Sequence, residues 1–268
     1  MKRQPQAERG FTILELIMAM GIFLIICAAM FELLNLSQKK YSSETQLSAA
    51  YQDARLAMDQ IVRDVNVSGY PSGGMFSVLP PISQYASSPV AWSPNYNPPV
   101  PCLIGTAGGG TCSTPGDYDL VVETRLGTDT FVSWIWYHLD GTTLYRGVVA
   151  PKTSGDPPSW ATSSGAMVPF LANVMNNAPS AQLAQITADY PSMFPGNQPQ
   201  PIFQYTCDTP GGPTPSAPCP LAGTNNSPQN IRDVDVILIV MTPQRDLQTQ
   251  SLKLVELNGR GHRVNPVN

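Results

Sequence analysis

From Leu16 to Phe31 sixteen residues pass without a charge, and from Ile22 to Val67 none is a proline or a glycine. A stretch like that predicts one continuous helix over 11–67, on the order of 85 Å long at 1.5 Å per residue. Its two halves differ. The first is apolar all round, and Phe11–Phe31 is about as long as a helix needs to be to cross a bilayer. The second turns amphipathic: Leu47, Tyr51, Ala54, Met58, Ile61 and Val65 recur at spacings of three and four, with Arg55, Asp59, Arg63 and Asp64 set mostly off that stripe. Such a helix leaves the membrane and buries one face, most simply against the chain's own domain. Ser68-Gly69-Tyr70-Pro71 stops it.

One acid interrupts the start of the apolar run. Glu15 follows Phe11-Thr12-Ile13-Leu14, directly behind Arg9-Gly10. A carboxylate there is costly unless something neutralises it, so it is a functional residue by default. Cleavage after Gly10 would leave Phe11 with a free α-amino group, positive near neutral pH. That amine stands four residues from Glu15 on the same helix face. The same amine also has the reach to pair with Glu15 of a neighbouring copy, which would fix the axial register between chains.

The basic leader (Lys2, Arg3, Arg9), then Gly10, Phe11-Thr12, Glu15 and the apolar run resemble the class III signal of type IV pilins and pseudopilins. The resemblance implies cleavage after Gly10 by a prepilin peptidase, methylation of the new N-terminal Phe11, and a role for Glu15 in docking into a growing filament. An ordinary signal anchor with an incidental Glu15 is the bland alternative. A cleaved secretory peptide fits less well, since Ile25-Ile26-Cys27 lacks the small residues that end such a segment. Ala54-Arg55-Leu56-Ala57-Met58, Arg63-Asp64-Val65 and Ser68-Gly69-Tyr70 look like the helix end of PilW-type minor pilins. Pro169 to Val174 and Phe203-Gln204-Tyr205 resemble that group's strand entry, split here by an insert over 175–201. Many pilins carry a proline partway along the apolar helix; this chain has Glu32 there instead, marking where the helix reaches the headgroups.

The rest of the chain reads as an extracytoplasmic head. Twenty-seven prolines and twenty-one glycines in 268 residues favour β-structure and long loops over a helical bundle. Residues 1–10 are a leader, 11–36 the membrane or filament-core helix, 37–67 its amphipathic half, 68–116 a Pro/Gly-rich connection and 117–268 an antiparallel sheet with inserted loops at 151–168, 175–201 and 207–230. The predicted fold is α+β: a long N-terminal helix packed on antiparallel β-structure, pilin-like. Three strands follow Asp117, with Asp140-Gly141 as a hairpin turn. Two more fall over Val234–Val240 and Leu252–Leu257, and Gly259–Asn268 reads as a tail.

Cys102 with Cys112 and Cys207 with Cys219 sit in Gly/Pro/Thr-rich loops; disulfides closing each loop suit an oxidising periplasm, with crossed pairing or free thiols as alternatives. Their spacing does not suit zinc. Cys27 is a small hydrophobe within the helix.

No catalytic, cofactor or metal site is expected. His138 and His262 have no companion motif, and the Asp117/Asp119 and Asp233/Asp235 couples read as solvated strand faces rather than weak calcium ligands. Net charge is −4, with no basic patch for nucleic acid. The expected partners are prepilin peptidase, major and minor pilins met through the N-terminal helix, and the inner membrane before assembly; after assembly the chain would lie in an extracellular pilus. The leading expectation is a minor pilin at or near the tip of a type IV pilus. A J-type pseudopilin of type II secretion is the near rival, and a membrane-tethered surface adhesin or binding module the rival of another class.

Overall fold

The computed structural model describes residues 12–86, 89–91, 116–153, 163–207, 217–218, 231–246, 249 and 251–264. Helix α1 (Ile13–Asn66) runs as one element. Its C-terminal stop is local chemistry. Ser68 Oγ donates to the Val65 carbonyl at 2.6 Å, Gly69 takes a positive φ of 77°, and a cis peptide joins Tyr70 to Pro71.

Five strands form a first antiparallel sheet in sequence order: β1 (Val90–Ala91), β2 (Asp119–Arg125), β3 (Val132–Asp140), β4 (Thr143–Pro151) and β5 (Val168–Leu171). Leu139↔Leu144 and Asp140↔Thr143 pair across the expected hairpin, where Gly141 takes φ 58°. After α1 the chain docks on this sheet, with Gly69 N donating to Glu123 O and Arg125 N to Tyr70 O. A second antiparallel sheet follows in the order β7 (Ala217–Pro218), β6 (Phe203–Cys207), β8 (Ile231–Met241), β9 (Leu254–His262). The sheets join where Met241 N donates to Asn173 O and Met175 N to Ile239 O. The result is the expected long helix on antiparallel β-structure, divided between two sheets.

One core unites the three layers. Ala50, Ala54, Ala57, Met58, Ile61 and Val65 of α1 pack with Leu120, Val122, Ile135 and Tyr137 of the first sheet and Phe203, Val234, Val236 and Leu238 of the second. Of the six stripe residues named from sequence, Ala54, Met58, Ile61 and Val65 are in this core. Tyr51 is 45% exposed, because the buried arc is narrower than the apolar stripe.

Three expectations are corrected. The final strand does not end at Leu257: β9 continues to His262, pairing residue by residue with β8 back to Asp233. Its glycines are close-approach residues rather than punctuation. A Cβ on Gly259 would fall on the Met58 sulfur, and one on Gly261 would lie 2.6 Å from Val65 Cβ. The 175–201 insert is not a bare loop. It carries α2 (Ser180–Asp189), whose Leu183 and Ile186 join Met175, Phe194, Ile239 and Met241 in a separate core over the other face of β8. That explains why Ile239 alternates with Val240 and both are buried. In the 151–168 segment, β4 reaches Pro151 and Ser164–Ala166 forms a single 3-10 turn before β5.

Candidate functional site: an uncovered apolar stalk with a capped carboxylate

Helix α1 meets the head first at Ser43, 8% exposed, whose Oγ donates to Asp246 Oδ2 at 2.8 Å. Lys253 Nζ holds the same carboxylate at 2.8 Å. Before that point the helix is bare. From Thr12 to Tyr41 every residue is exposed except the half-buried Cys27. Ile13, Ile25 and Phe31 show 79%, 71% and 67% of their surface. The thirty residues ahead of Ser43 make a stalk about 45 Å long. This helix is long and apolar enough to cross a membrane, and none of its most apolar stretch is buried inside the molecule. So large an exposed apolar surface marks a membrane or protein interaction site.

At the tip of the stalk Thr12 is the N-cap. Glu15 N donates to Thr12 Oγ1 at 3.3 Å, and Glu15 Oε2 accepts from Thr12 N at 3.0 Å and from Thr12 Oγ1 at 3.1 Å. This is a reciprocal capping box, satisfying backbone donors that a helix start leaves orphaned. The sequence reading singled out Glu15 for its charge and missed Thr12, although a threonine followed three residues later by glutamate is the signature of this cap. The carboxylate therefore folds back toward the chain end, beside the residue that follows Phe11. Gly10 and Phe11 lie outside the described residues, as do Cys102, Cys112 and Cys219. Cys207 closes β6, its backbone in register with Ile231 and Ala217, and its side chain too is outside the described set.

The polar residues of the head are engaged structurally. Asp64, expected off the packed stripe, is 4% exposed. It accepts from Tyr137 OH at 2.6 Å, Arg146 Nη2 at 2.7 Å and Nε at 3.0 Å, and Gln60 Nε2 at 2.8 Å. Burial first, and the Asp64 carboxylate second, push the Tyr137 hydroxyl far above its ordinary range. Lys152 and Glu123, both fully buried, pair at 2.7 Å, the ammonium lying 5.5 Å from the Tyr85 ring centre and 5.7 Å from that of Trp134. Neither cluster was legible in the sequence, since the partners lie tens of residues apart.

The strand-face acids are not simply solvated. Asp119 takes His138 Nδ1 at 2.5 Å and Trp136 Nε1 at 3.1 Å. Asp233 takes His262 Nδ1 at 2.5 Å and Arg260 Nη2 at 2.8 Å. Burial would raise the Asp233 carboxyl, but hydrogen bonds from His262, Thr206 and Arg260 outweigh it and hold it below its usual range. Among the described residues no group of three or more His, Cys, Asp or Glu side chains is placed to hold a metal ion.

No curated protein and no solved structure matches the chain. One family model does, over residues 5–31: the prokaryotic N-terminal methylation motif. The matched span covers the end of the leader, Glu15 and the apolar stalk as far as Phe31. It supports a type IV pilin or pseudopilin precursor and points to a structural subunit that prepilin peptidase processes and that assembles with other pilins.

Proposed function

We propose that the chain is a minor pilin, a structural subunit built into a type IV pilus at or near its tip, where it supports filament initiation and assembly. Prepilin peptidase cuts after Gly10, and Phe11 becomes the methylated N-terminus. The Phe11–Phe31 helix holds the subunit in the inner membrane, with residues 37–67 and the head on the far side from the cytoplasm. Assembly then moves the stalk from lipid into a bundle of neighbouring apolar helices. Lipid and protein are both apolar, so burial alone gives little drive; packing and the Phe11 amine–Glu15 pair set the register. The observation that carries this reading is the methylation motif lying on a helix whose apolar half the head leaves wholly uncovered.

Two results test it. Mass spectrometry of the native protein gives N-methylated Phe11 as its first residue, and replacing Gly10 with a bulky residue leaves a precursor that begins at the leader. Normal processing of that variant defeats the assignment. Sheared filaments carry the mature chain; finding it confined to a secretion apparatus would instead identify a J-type pseudopilin, whose leader and stalk are of the same kind.

In this reading Cys102–Cys112 and Cys207–Cys219 are disulfides of the periplasmic head, each contributing roughly 2–3 kcal/mol through its short loop. Peptide mapping under non-reducing conditions finds those two linkages; a crossed pattern or free thiols refutes the pairing.

A further inference from the structure

Strand β9 forms one edge of the second sheet, with β8 as its neighbour. The pairing runs from Met241↔Leu254 to Asp233↔His262 without a bulge. Thr242 N donates to Lys253 O at one end of the ladder, and Arg263 N to Arg232 O at the other. Backbone groups alternate in direction along a strand. Odd-numbered residues therefore face β8, and Leu254, Glu256, Asn258, Arg260 and His262 turn their N–H and C=O outward. Asn66 Oδ1 takes the outward N–H of His262 at 2.8 Å. Among the described residues, nothing bonds the outward backbone groups of Leu254, Glu256, Asn258 and Arg260. A straight edge with no proline and no bulge is a template for another strand.

The space beside this edge has a wall and a charge pattern. Odd-numbered side-chain positions of β9 face α1: a Cβ on Gly259 would meet Met58 and Val62. Tyr51, Arg55, Val62 and Asn66 follow one another at steps of four, seven and four, which is one stripe of α1. The Asn66–His262 bond places that stripe just beyond the free edge. On the opposite face Glu256, Asn258 and Arg260 are exposed. Asp233 and Asp235 hold the Arg260 guanidinium in place by Nη2 and Nε, with the side chain still 52% exposed.

We infer that the Leu254–Arg260 edge docks an extended segment of another protein, running antiparallel to β9. An acidic residue of that segment stands opposite Arg260, and a basic one four residues later stands opposite Glu256. Apolar residues at the first and third positions between them face α1, over Gly259 and Leu257. Main-chain bonds supply the attachment, and the two charges select the partner and its register. A second copy of this chain does not fit. Met58 lies at Gly259 and Val65 at Gly261, so α1 and β9 run in the same direction. Two copies joined antiparallel through β9 would send their stalks opposite ways, which one membrane does not allow. Joined parallel about a two-fold axis, they would set Glu256 against Glu256 and Arg260 against Arg260. The exclusion of a second copy rests on the pilin reading; the open edge is a property of the head alone.

The test uses the full-length chain in detergent and a labelled peptide blocked at both ends, Thr-Glu-Val-Thr-Val-Lys-Thr, followed by fluorescence anisotropy. The peptide binds, and exchanging its Glu and Lys weakens binding roughly tenfold. Asn258→Pro removes one outward N–H and no bond to β8, and weakens binding roughly tenfold as well. Asn258→Thr, which keeps that N–H, binds as the parent chain does. Glu256→Lys lowers affinity for the original peptide and raises it for one with Glu in place of Lys, a reversal that damage to the fold does not give. Absence of binding, equal binding of the exchanged peptide, or full binding by Asn258→Pro overturns the proposal. So does a dimer of the unliganded chain that Asn258→Pro dissociates, which makes a second copy the occupant. Mass spectrometry reads the N-terminus of the same preparation. A chain that begins at methylated Phe11 and leaves the peptide unbound defeats this docking edge alone, whereas an unprocessed chain defeats the pilin reading and leaves the edge to be judged by the peptide.

Discussion

Glu15→Ala is expected to be cut after Gly10 as efficiently as the parent chain and to disappear from sheared filaments. The side chain carries two separable duties. One is the cap, in which Glu15 Oε2 accepts from Thr12 N and Oγ1. The other is charge, which in the proposed filament neutralises the Phe11 amine. Losing the cap frays one turn of a helix that continues to Asn66, and the head is untouched. Losing the charge leaves an ammonium unpaired among apolar side chains, which lowers incorporation by roughly two orders of magnitude or more. Glu15→Gln separates the duties, since glutamine still serves a capping box but brings no charge. If Gln restores incorporation, the residue acts as a cap and the register argument fails. If Gln fails as Ala does while both are processed, charge is the operative property. Immunoblots of membrane and sheared fractions read both steps.

Asp64→Ala carries the largest expected cost to stability. The carboxylate collects Tyr137, two nitrogens of Arg146 and Gln60 where α1 crosses the first sheet. Removing it strands the partly buried guanidinium and the buried phenol, and breaking such a pair from one side costs about 3–5 kcal/mol. Thermal unfolding of the detergent-solubilised chain should fall by roughly 6–20 °C at the usual few degrees per kcal/mol for a domain of this size. Arg146→Met alone costs less, and Asp64→Leu combined with Arg146→Met recovers part of the loss, because an apolar replacement of a buried pair strands no charge. A change below about 1 kcal/mol for Asp64→Ala would mean that water already serves this carboxylate.

The sequence made the helix plain because helix formation here is local: a long span free of proline and glycine, an apolar run, then a stripe that α1 buries as Ala54, Met58, Ile61 and Val65. The hairpin at Gly141 was equally local. What escaped depended on distant partners. Asp64 looked like a solvent-facing charge because Tyr137 and Arg146 stand more than seventy residues away. Gly259 and Gly261 looked like a chain end because only the surfaces of Met58 and Val65 give an absent side chain its meaning. Helix α2 sat in an insert bounded by prolines, and its apolar face became legible only against Ile239 and Met241. At the stalk tip the reverse held: the charge of Glu15 drew attention away from the Thr12 cap three residues before it.

The glycine-lined seating of α1 on β9 has a mechanical corollary. Met58 against Gly259 and Val65 against Gly261 show the helix and the last strand advancing side by side, and His262 N finishes the run by donating to Asn66 Oδ1. A pull on the stalk would therefore slide the helix lengthwise over the strand, and all of these contacts would have to yield together instead of peeling away one at a time. Tension entering at the bare end would meet the β8–β9 connection first, at Ser43 and Asp246, and would then be shared along β9 and β8.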